Sequence, residues 1–310
     1  MALTSGLSSN AVKTALDAVF YGEYEYPVAP GVATALDPYV FMQDSADRAA
    51  IITEQFEGPG YFEERAEQQN VAEKTPRIGN QITYNVASYA QSVPISKRFF
   101  DDDQHSVVTR LVERMGRNAQ LSRDKNAFEV LNNGFSTTLT NDGAALFSNS
   151  HTTLSGETVD NLETAALSDT SLETLVVSLM EQHTQDGTLG GYVPHCLVVP
   201  PALFKEATII AKSELRSASA DNDLNYFSQV YPGMQVKQSP FLGANNGGSD
   251  TAWFLMSRKH SLYRWVRQEV VTDIVDYKYQ ANNNYIYKAE YREIVGPISY
   301  EGLVASNGTT

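Results

Sequence analysis

The chain has 310 residues, 42% hydrophobic and 19% charged, and its 23 Lys+Arg against 37 Asp+Glu leave a formal net charge of −14. That apolar content excludes wholesale disorder, since it can offset the entropy of ordering, and the length allows two domains or one large elaborated one. A single cysteine, Cys196, excludes a disulfide scaffold; no apolar run reaches the roughly 18 residues of a bilayer span; and the acidic balance argues against a dedicated DNA-binding surface. The start, MALTSGLSSN, has no basic residue and no apolar run, so no signal peptide is visible and an acidic, soluble, intracellular protein is expected.

Residues 1–50 read as an arm. A helix is expected over 9–20, with Ser9 or Asn10 as cap and Val12, Leu16 and Val19 on one face. Beyond it, Gly22, Pro27, Pro30, Gly31 and Pro38 break the pattern, and Tyr21, Tyr24 and Tyr26 suit a segment lying across another surface. Residues 51–100 carry strand signals: Ile82 to Tyr89 alternates at period two, and Ser92 to Ser96 continues extended through Pro94. Between them, residues 57–80 form a polar excursion with Glu63, Glu64, Arg65 and Glu67, the long tip of a hairpin.

The strongest helix is expected over 104–133. Asp101, Asp102 and Asp103 supply negative charge at its start, and Val107, Val108, Leu111, Val112, Met115 and Ala119 recur at spacings of three and four. Asn132-Asn133-Gly134 stops it. About 28 residues at ~1.5 Å each make a strut of roughly 42 Å. Its Arg110, Arg114, Arg117, Arg123 and Lys125 read as a solvated or subunit-facing side.

A Thr/Asn/Gly loop over 136–165 leads into α/β text. Thr170 to Glu173 fits a capping box, with Leu172, Leu175, Val176, Leu179 and Met180 on one face. Cys196 to Val199 is an apolar strand, and Pro201 opens a helix over 202–212. After the polar stretch Ser217 to Asn225, strands are expected at 234–237, 252–256, 262–266, 270–277, 285–295 and 298–304, with no internal repeat. The fold class is α+β.

Chemistry-bearing motifs are scarce. His105, His151, His183, His195 and His260 show no metal-ligand spacing, and no phosphate-binding glycine loop or nucleophile elbow occurs. No metal, cofactor or catalytic residue is therefore assigned. Cys196, inside an apolar strand, reads as a structural thiol. Asp142-Gly143 with Asn149-Ser150-His151 has two readings: turn-forming residues, or the site of a stand-alone α+β enzyme. Asp101 to Asp103 caps a helix or, less simply, holds a cation.

Several strings, in order, resemble the major capsid proteins of tailed phages with the Hong Kong 97-like fold, and within them the Mu-like major head subunit family. They are VPISKRFFDDDQ (93–104), NDGAALFSNSH (141–151), Asn161, GYVPHCLVVPPALF (191–204), Trp253-Phe254-Leu255 and YREIVGPISYEGLVA (291–305). The resemblance implies an N-terminal arm (1–50) and an extended β-hairpin loop (51–100) reaching onto a neighbouring subunit. It also implies a peripheral domain (101–165) with the spine helix, an α/β axial domain (166–260), and strands returning to the peripheral domain (261–310). The implied function is a self-assembling head protein, forming hexamers and pentamers that close into an icosahedral shell around double-stranded DNA without sequence-specific contact. The implied location is the virion, after assembly in the host cytoplasm. Portal and scaffolding proteins, and decoration proteins in some heads, are the implied partners, with no membrane. The spine helix starts too early to leave room for a fused scaffolding segment, so a separate scaffolding protein or a mature product is expected. An encapsulin-like nanocompartment shell is the alternative of related fold. Glu63, Glu64, Arg65, Glu67, Lys97, Arg98, Arg110, Arg114 and Arg117 are the expected inter-subunit contacts.

Overall fold

The computed structural model describes residues 9–25, 27–68, 70–71, 73–98, 102, 106–215, 224–276 and 284–309. Expectations on Tyr26, Asp101, Asp103, His105, residues 217–223 and Tyr277 lie outside them.

A long strut organises one half of the subunit. Helix α1 (Ser9–Tyr24) already includes Ser9 and Asn10, and lies along α2 (Val107–Asn132). The 26 residues of α2 span ~39 Å. Gly116 lies where the helices meet: a Cβ there would collide with the Phe20 carbonyl oxygen, so only glycine permits this approach. Both helices cover one face of a four-stranded sheet. At its centre β11 (Leu262–Val275) and β12 (Asn284–Pro297) pair antiparallel, with register breaks between Val266 and Val271. β4 (Ala87–Ser96) adds antiparallel to β12, and β1 (Met42–Ser45) adds parallel to β11. Val12, Leu16 and Phe20 of α1 and Val112 and Met115 of α2 pack against Val270, Tyr285, Tyr287 and Tyr291.

The second sheet is built from β7 (Leu162–Glu163), β8 (Pro194–Val199), β9 (Gln235–Gln238), β10 (Trp253–Ser257) and β13 (Leu303–Ser306). Its strand order is β7-β13-β10-β8-β9. Alternation divides its side chains between two cores. Cys196, Val198, Phe254, Met256 and Ala305 face the C-terminal end of α2 through Phe128 and Leu131. Leu197, Val199, Trp253, Leu255 and Val304 face α3 (Asp169–Met180) and α4 (Phe204–Lys212). A short helix, α5 (Tyr226–Val230), adds Phe227 to that core.

Several expectations need correction. α2 starts at Val107, after Ser106 in a left-handed conformation (φ 52°), and its first turn holds no acid. Asp102 therefore precedes the helix by more than a turn, beyond useful reach of its dipole. The capping box of α3 is formed by Ser168 and Ser171 rather than Thr170 and Glu173: Ser171 N donates to Ser168 Oγ at 3.1 Å and Ser168 N donates to Ser171 Oγ at 2.8 Å. Met180, expected on the buried face of α3, is exposed at its end. Pro200-Pro201 make a turn, with Leu203 N bonded to Pro200 O at 3.1 Å, so α4 starts at Phe204. β13 joins β10 in the five-stranded sheet rather than returning to the strut, because Leu303, Val304 and Ala305 need burial on both faces. Much of the expected arm folds onto its own copy. Phe20 and Phe41 are buried, and Ala33 N donates to Gln238 O at 2.7 Å.

Against the expectation of no internal repeat, the loops contain one short repeated turn. Thr140 to Ala144 and Thr184 to Thr188 are the same turn. In each, threonine donates to the aspartate two residues on, and a positive-φ glycine follows, Gly143 at 85° and Gly187 at 76°. Thr153 to Glu157 closes in the same way around Gly156, joining the two-residue strands β5 (His151–Thr152) and β6 (Thr158–Val159).

Candidate functional site

The two turns with the Thr-x-Asp-Gly pattern stand under a hairpin formed by β2 (Ala50–Phe56) and β3 (Ile78–Asn85), which pair from Ala50–Asn85 to Phe56–Ile78. Glu57 N bonds to Arg77 O at 2.9 Å and closes the ladder below the tip, residues 58–76. The alternation of β2 is inverted relative to a soluble edge strand. Its buried side is polar: Thr53 Oγ1 donates to Asn141 Oδ1 at 3.3 Å, and Gln55 Nε2 donates to Gln185 Oε1 at 2.7 Å. Its outward side carries Ile52 and Phe56, with Ile78 opposite Phe56, all exposed. The base of the tip is tied to the same copy, with Gly60 N donating to Asp186 Oδ2 at 3.1 Å and Leu189 N donating to the Tyr61 hydroxyl at 2.9 Å. Beyond these ties Phe62 and Val71 are exposed.

The expected contact residues fall into three groups. Glu63, Glu64, Arg65 and Glu67 are exposed on the tip, where Glu63 meets Lys74 at 3.3 Å. Lys97, half-buried, and Arg98, exposed, follow the end of β4. Arg110, Arg114 and Arg117 are exposed along one side of α2, at spacings of four and three. Beside Arg117 runs a cleft of about 590 Å³, bounded by Glu23 of α1, α2 from Arg117 to Asp124, residues 27–33 and Pro240-Phe241, so that two carboxylates and one guanidinium line it.

Arg123, expected among the outward basic residues, is instead buried. Its Nε and Nη2 donate to Glu293 Oε2 at 3.1 and 3.0 Å, and Nη2 also reaches Glu269 at 2.9 Å. Arg264, on β11, donates to the same Glu293 oxygen through Nε at 2.9 Å and to Gln43 through Nη1 at 2.6 Å. One carboxylate thus joins α2 and β11, and Gln43 brings in β1. The Arg123 guanidinium lies over the rings of Tyr24 and Tyr291, at 5.7 and 5.5 Å. Next to it, burial raises the Asp124 carboxyl to about 6, although Ala35 N donates to it at 2.7 Å. Sequence reasoning missed these roles because an arginine on a helix gives no local sign of which side meets a carboxylate.

Asp142 and His151 do come together. His151 is fully buried, with Nδ1 2.7 Å from Asp142 Oδ2 and Nε2 3.2 Å from the Leu146 carbonyl oxygen, and it stacks on Tyr300 at 4.5 Å. Both ring nitrogens face oxygen acceptors and the ring is fully buried, so the imidazole fastens the loop rather than presenting a base. Burial opposes ionisation of Asp142, but hydrogen bonds from His151 and Thr140 more than offset it, and its carboxyl is held below the usual range. Asn161 works alongside: Nδ2 donates to Leu146 O at 2.9 Å and Leu303 O at 3.2 Å, while Oδ1 accepts from Ser148 N. Cys196 is fully buried, and burial pushes its thiol upward, away from reactivity. Among the described residues, no group of three or more His, Cys, Asp or Glu is placed to hold a metal, and no helix is long and apolar enough to cross a membrane.

A family model for phage capsid proteins matches residues 79–306. The chain belongs to the phage capsid protein family. A search of curated proteins finds no match. Among solved structures, the capsid of the cyanophage P-SCSP1u aligns with a TM-score of 0.57 at 11% identity, covering 90% of this chain and 89% of that one. A virus-like particle from Pyrococcus furiosus gives 0.55 at 9%, covering 94% and 98%, and the capsid of an empty GTA particle gives 0.52 at 13%, covering 98% and 99%. At such identities the likeness is one of fold, and that fold is the Hong Kong 97-like one. The capsid protein is a structural shell component, a major capsid protein of a phage head. Its hairpin, strut helix, long strands and five-stranded sheet are the parts of a shell subunit, and the buried Asp142–His151 pair belongs to its scaffold.

Proposed function

We propose that copies of this capsid protein assemble as hexamers and pentamers into an icosahedral shell around the double-stranded DNA of a tailed phage. One observation carries this reading: the hairpin β2–β3 turns its polar side to its own copy and leaves Ile52, Phe56, Ile78 and Phe62 exposed. A monomer gains nothing from that arrangement, whereas neighbouring copies would bury those side chains. In this reading residues 51–100 are the extended loop, 101–165 the peripheral domain around the strut, and 166–260 the axial domain gathered at the symmetry axes. Residues 1–50 are the arm, and 261–310 complete the peripheral domain except where β13 joins β10. The tip carboxylates Glu63, Glu64 and Glu67 with Arg65, the pair Lys97 and Arg98, and the stripe Arg110, Arg114 and Arg117 then serve as inter-subunit contacts that set register more than affinity.

The finer placement in the Mu-like major head subunit family rests on the strings at 93–104, 141–151 and 291–305. Portal, scaffolding and decoration proteins as partners, and assembly in the host cytoplasm, rest on the same resemblance. The net charge of −14 suits a wall that holds DNA without adhering to it. The alternative is a nanocompartment shell of related fold around a cargo enzyme.

Replacing residues 58–76 by a short linker tests the reading. The subunit should stay folded and soluble while shell closure, seen by negative-stain microscopy, is lost; normal shells would contradict the loop assignment. Shells purified from phage-infected cells should contain DNA, whereas an enzyme cargo would favour the alternative.

A further inference from the structure

We propose that the cleft between α1, α2 and residues 27–33 is a binding site for a linear aliphatic diamine, with one ammonium donating to Asp124, the other to Glu23, and the methylene chain lying against Val28, Val32 and Leu121. This goes beyond the shell reading above and does not depend on it.

Three observations on the molecule lead to it. First, a buried carboxylate lines the cleft with half of its accepting capacity unused. Asp124 is only 7% exposed. Its Oδ1 accepts from Ala35 N at 2.7 Å, and among the described residues no hydrogen bond reaches Oδ2. A carboxylate withdrawn from water needs donors at both oxygens, and a charged donor compensates it best. Second, the lining includes another carboxylate, Glu23, in the last turn of α1. The two helices run side by side here, with the Phe20 carbonyl at Gly116 and the Tyr24 ring under Arg123, so Glu23 stands over the stretch of α2 that lines the cleft. Third, most of the remaining wall is apolar, through Val28, Val32, Leu121 and Phe241. Val28 and Leu121 are exposed in the single copy, and methylene groups laid against them would remove apolar surface from water.

Charge fixes the class of ligand. Two carboxylates and one guanidinium line the cleft, and Arg117 lies seven residues from Asp124, about 10 Å along the helix axis. The buried Arg123 next to Asp124 is already paired with Glu293 and Glu269. An anion would meet the unpartnered side of Asp124, and a monoamine would leave Glu23 unmatched. A metal ion would find, among the described residues, no group of three His, Cys, Asp or Glu placed to hold it. A diamine matches both carboxylates and covers the apolar wall, and about 590 Å³ leaves room for water around its outer end. The ionisable groups acting on Asp124 are Arg123 on its own helix and Glu293 of β12, with Glu23 and Arg117 across the cleft; residues 27–33 and Pro240-Phe241 bring none. Burial raises the Asp124 carboxyl to about 6, so affinity for the diamine should fall about tenfold from pH 7 to pH 5, as the carboxylate takes up its proton.

The test titrates the purified full chain with putrescine and cadaverine by calorimetry, at constant ionic strength. One site per chain is expected, with n-butylamine binding more weakly than either diamine. Asp124→Asn should lower the affinity at least about tenfold, Glu23→Gln should lower it less, and Arg117→Ala should raise it by removing a like charge. Asp124→Asn keeps the acceptor for Ala35 N, so a melting temperature no lower than that of the native chain shows that binding, not folding, was lost. Three results would overturn the site: no saturable heat at millimolar diamine, binding that survives Asp124→Asn, or an equal response to magnesium ions. A cleft that ignores both diamines yet takes a lysine-rich peptide belongs to a protein partner and overturns the proposal as well. Each of these failures leaves the shell reading standing.

Discussion

Between α2 and β12 the subunit buries charge, and along the hairpin β2–β3 it exposes apolar side chains. Both invert the usual partition between inside and outside, yet they differ in where the compensation lies. Arg123, Arg264 and Glu293 are all buried, and each finds its counter-charge within one copy at about 3 Å. Ile52, Phe56, Ile78 and Phe62 are exposed among the described residues. The first region is completed by folding and the second by assembly. The strut and its strands therefore act as the rigid frame, and the hairpin as a part finished by its neighbours.

The largest expected effect breaks the first half of this comparison. Glu293→Ala would leave Arg123 and Arg264 buried without their shared carboxylate, with the exposed Glu269 the remaining ion-pair partner among the described residues, so unfolding stability should fall by roughly 3–5 kcal/mol, read as a lower denaturant midpoint. A change under ~1 kcal/mol would mean that water reaches these guanidinium groups.

A second prediction concerns how α1 is fastened to the same frame. Asp17 accepts from Thr272 Oγ1 at 2.7 Å, Tyr287 OH at 2.8 Å and Lys13 Nζ at 2.5 Å. Burial alone would raise its carboxyl, but these donors more than reverse that and hold it below the usual 3.8. A depressed carboxylate contributes stability above pH ~4, and that contribution fades as pH falls through its folded-state pKa. Asp17→Ala should cost about 1–3 kcal/mol at neutral pH, lose amide protection in α1 first, and differ little from the native chain in strong acid.

Asp124 has the opposite sign. Burial raises its carboxyl to about 6, so the folded chain takes up a proton before the unfolded one as pH falls from about 6 towards 4, and the native chain gains stability across that window. Asp124→Asn keeps an acceptor for Ala35 N and should therefore stabilise the chain at pH 7 by on the order of 1–2 kcal/mol. The advantage should vanish near pH 4, as thermal melts at both pH values would show.

The smallest effect on folding sharpens the second half of the comparison. Phe62→Ala and Ile78→Ser should shift the denaturation midpoint of the isolated subunit by no more than ~0.5 kcal/mol. Their consequence belongs to particle yield instead.

The sequence made the frame legible where a signal is local. The apolar spacing of Val107, Val108, Leu111, Val112, Met115 and Ala119 marks α2, although Leu111 is exposed on it, the Asn132-Asn133-Gly134 stop marks its end, and Cys196 to Val199 marks a central strand. Signals that depend on a distant partner were not legible. β1 joins β11 in parallel across more than two hundred residues, and Arg123 is polar by type yet buried by its pairing with Glu293. In the candidate contact region, the charges of the tip stood out while Phe62 did not. An aromatic residue reads as core until the structure shows no core beneath it. The Thr-x-Asp-Gly turns at 140 and 184 were hidden for another reason, since four turn-forming residues match too many loops to be noticed as a pair.

Electron microscopy of the purified chain, expressed with and without co-expressed phage assembly partners, tests the central claim most directly. The account predicts closed isometric shells of uniform size, with the hairpin of each copy lying over its neighbour. A monodisperse monomer or dimer under every concentration, salt and co-expression condition would contradict it.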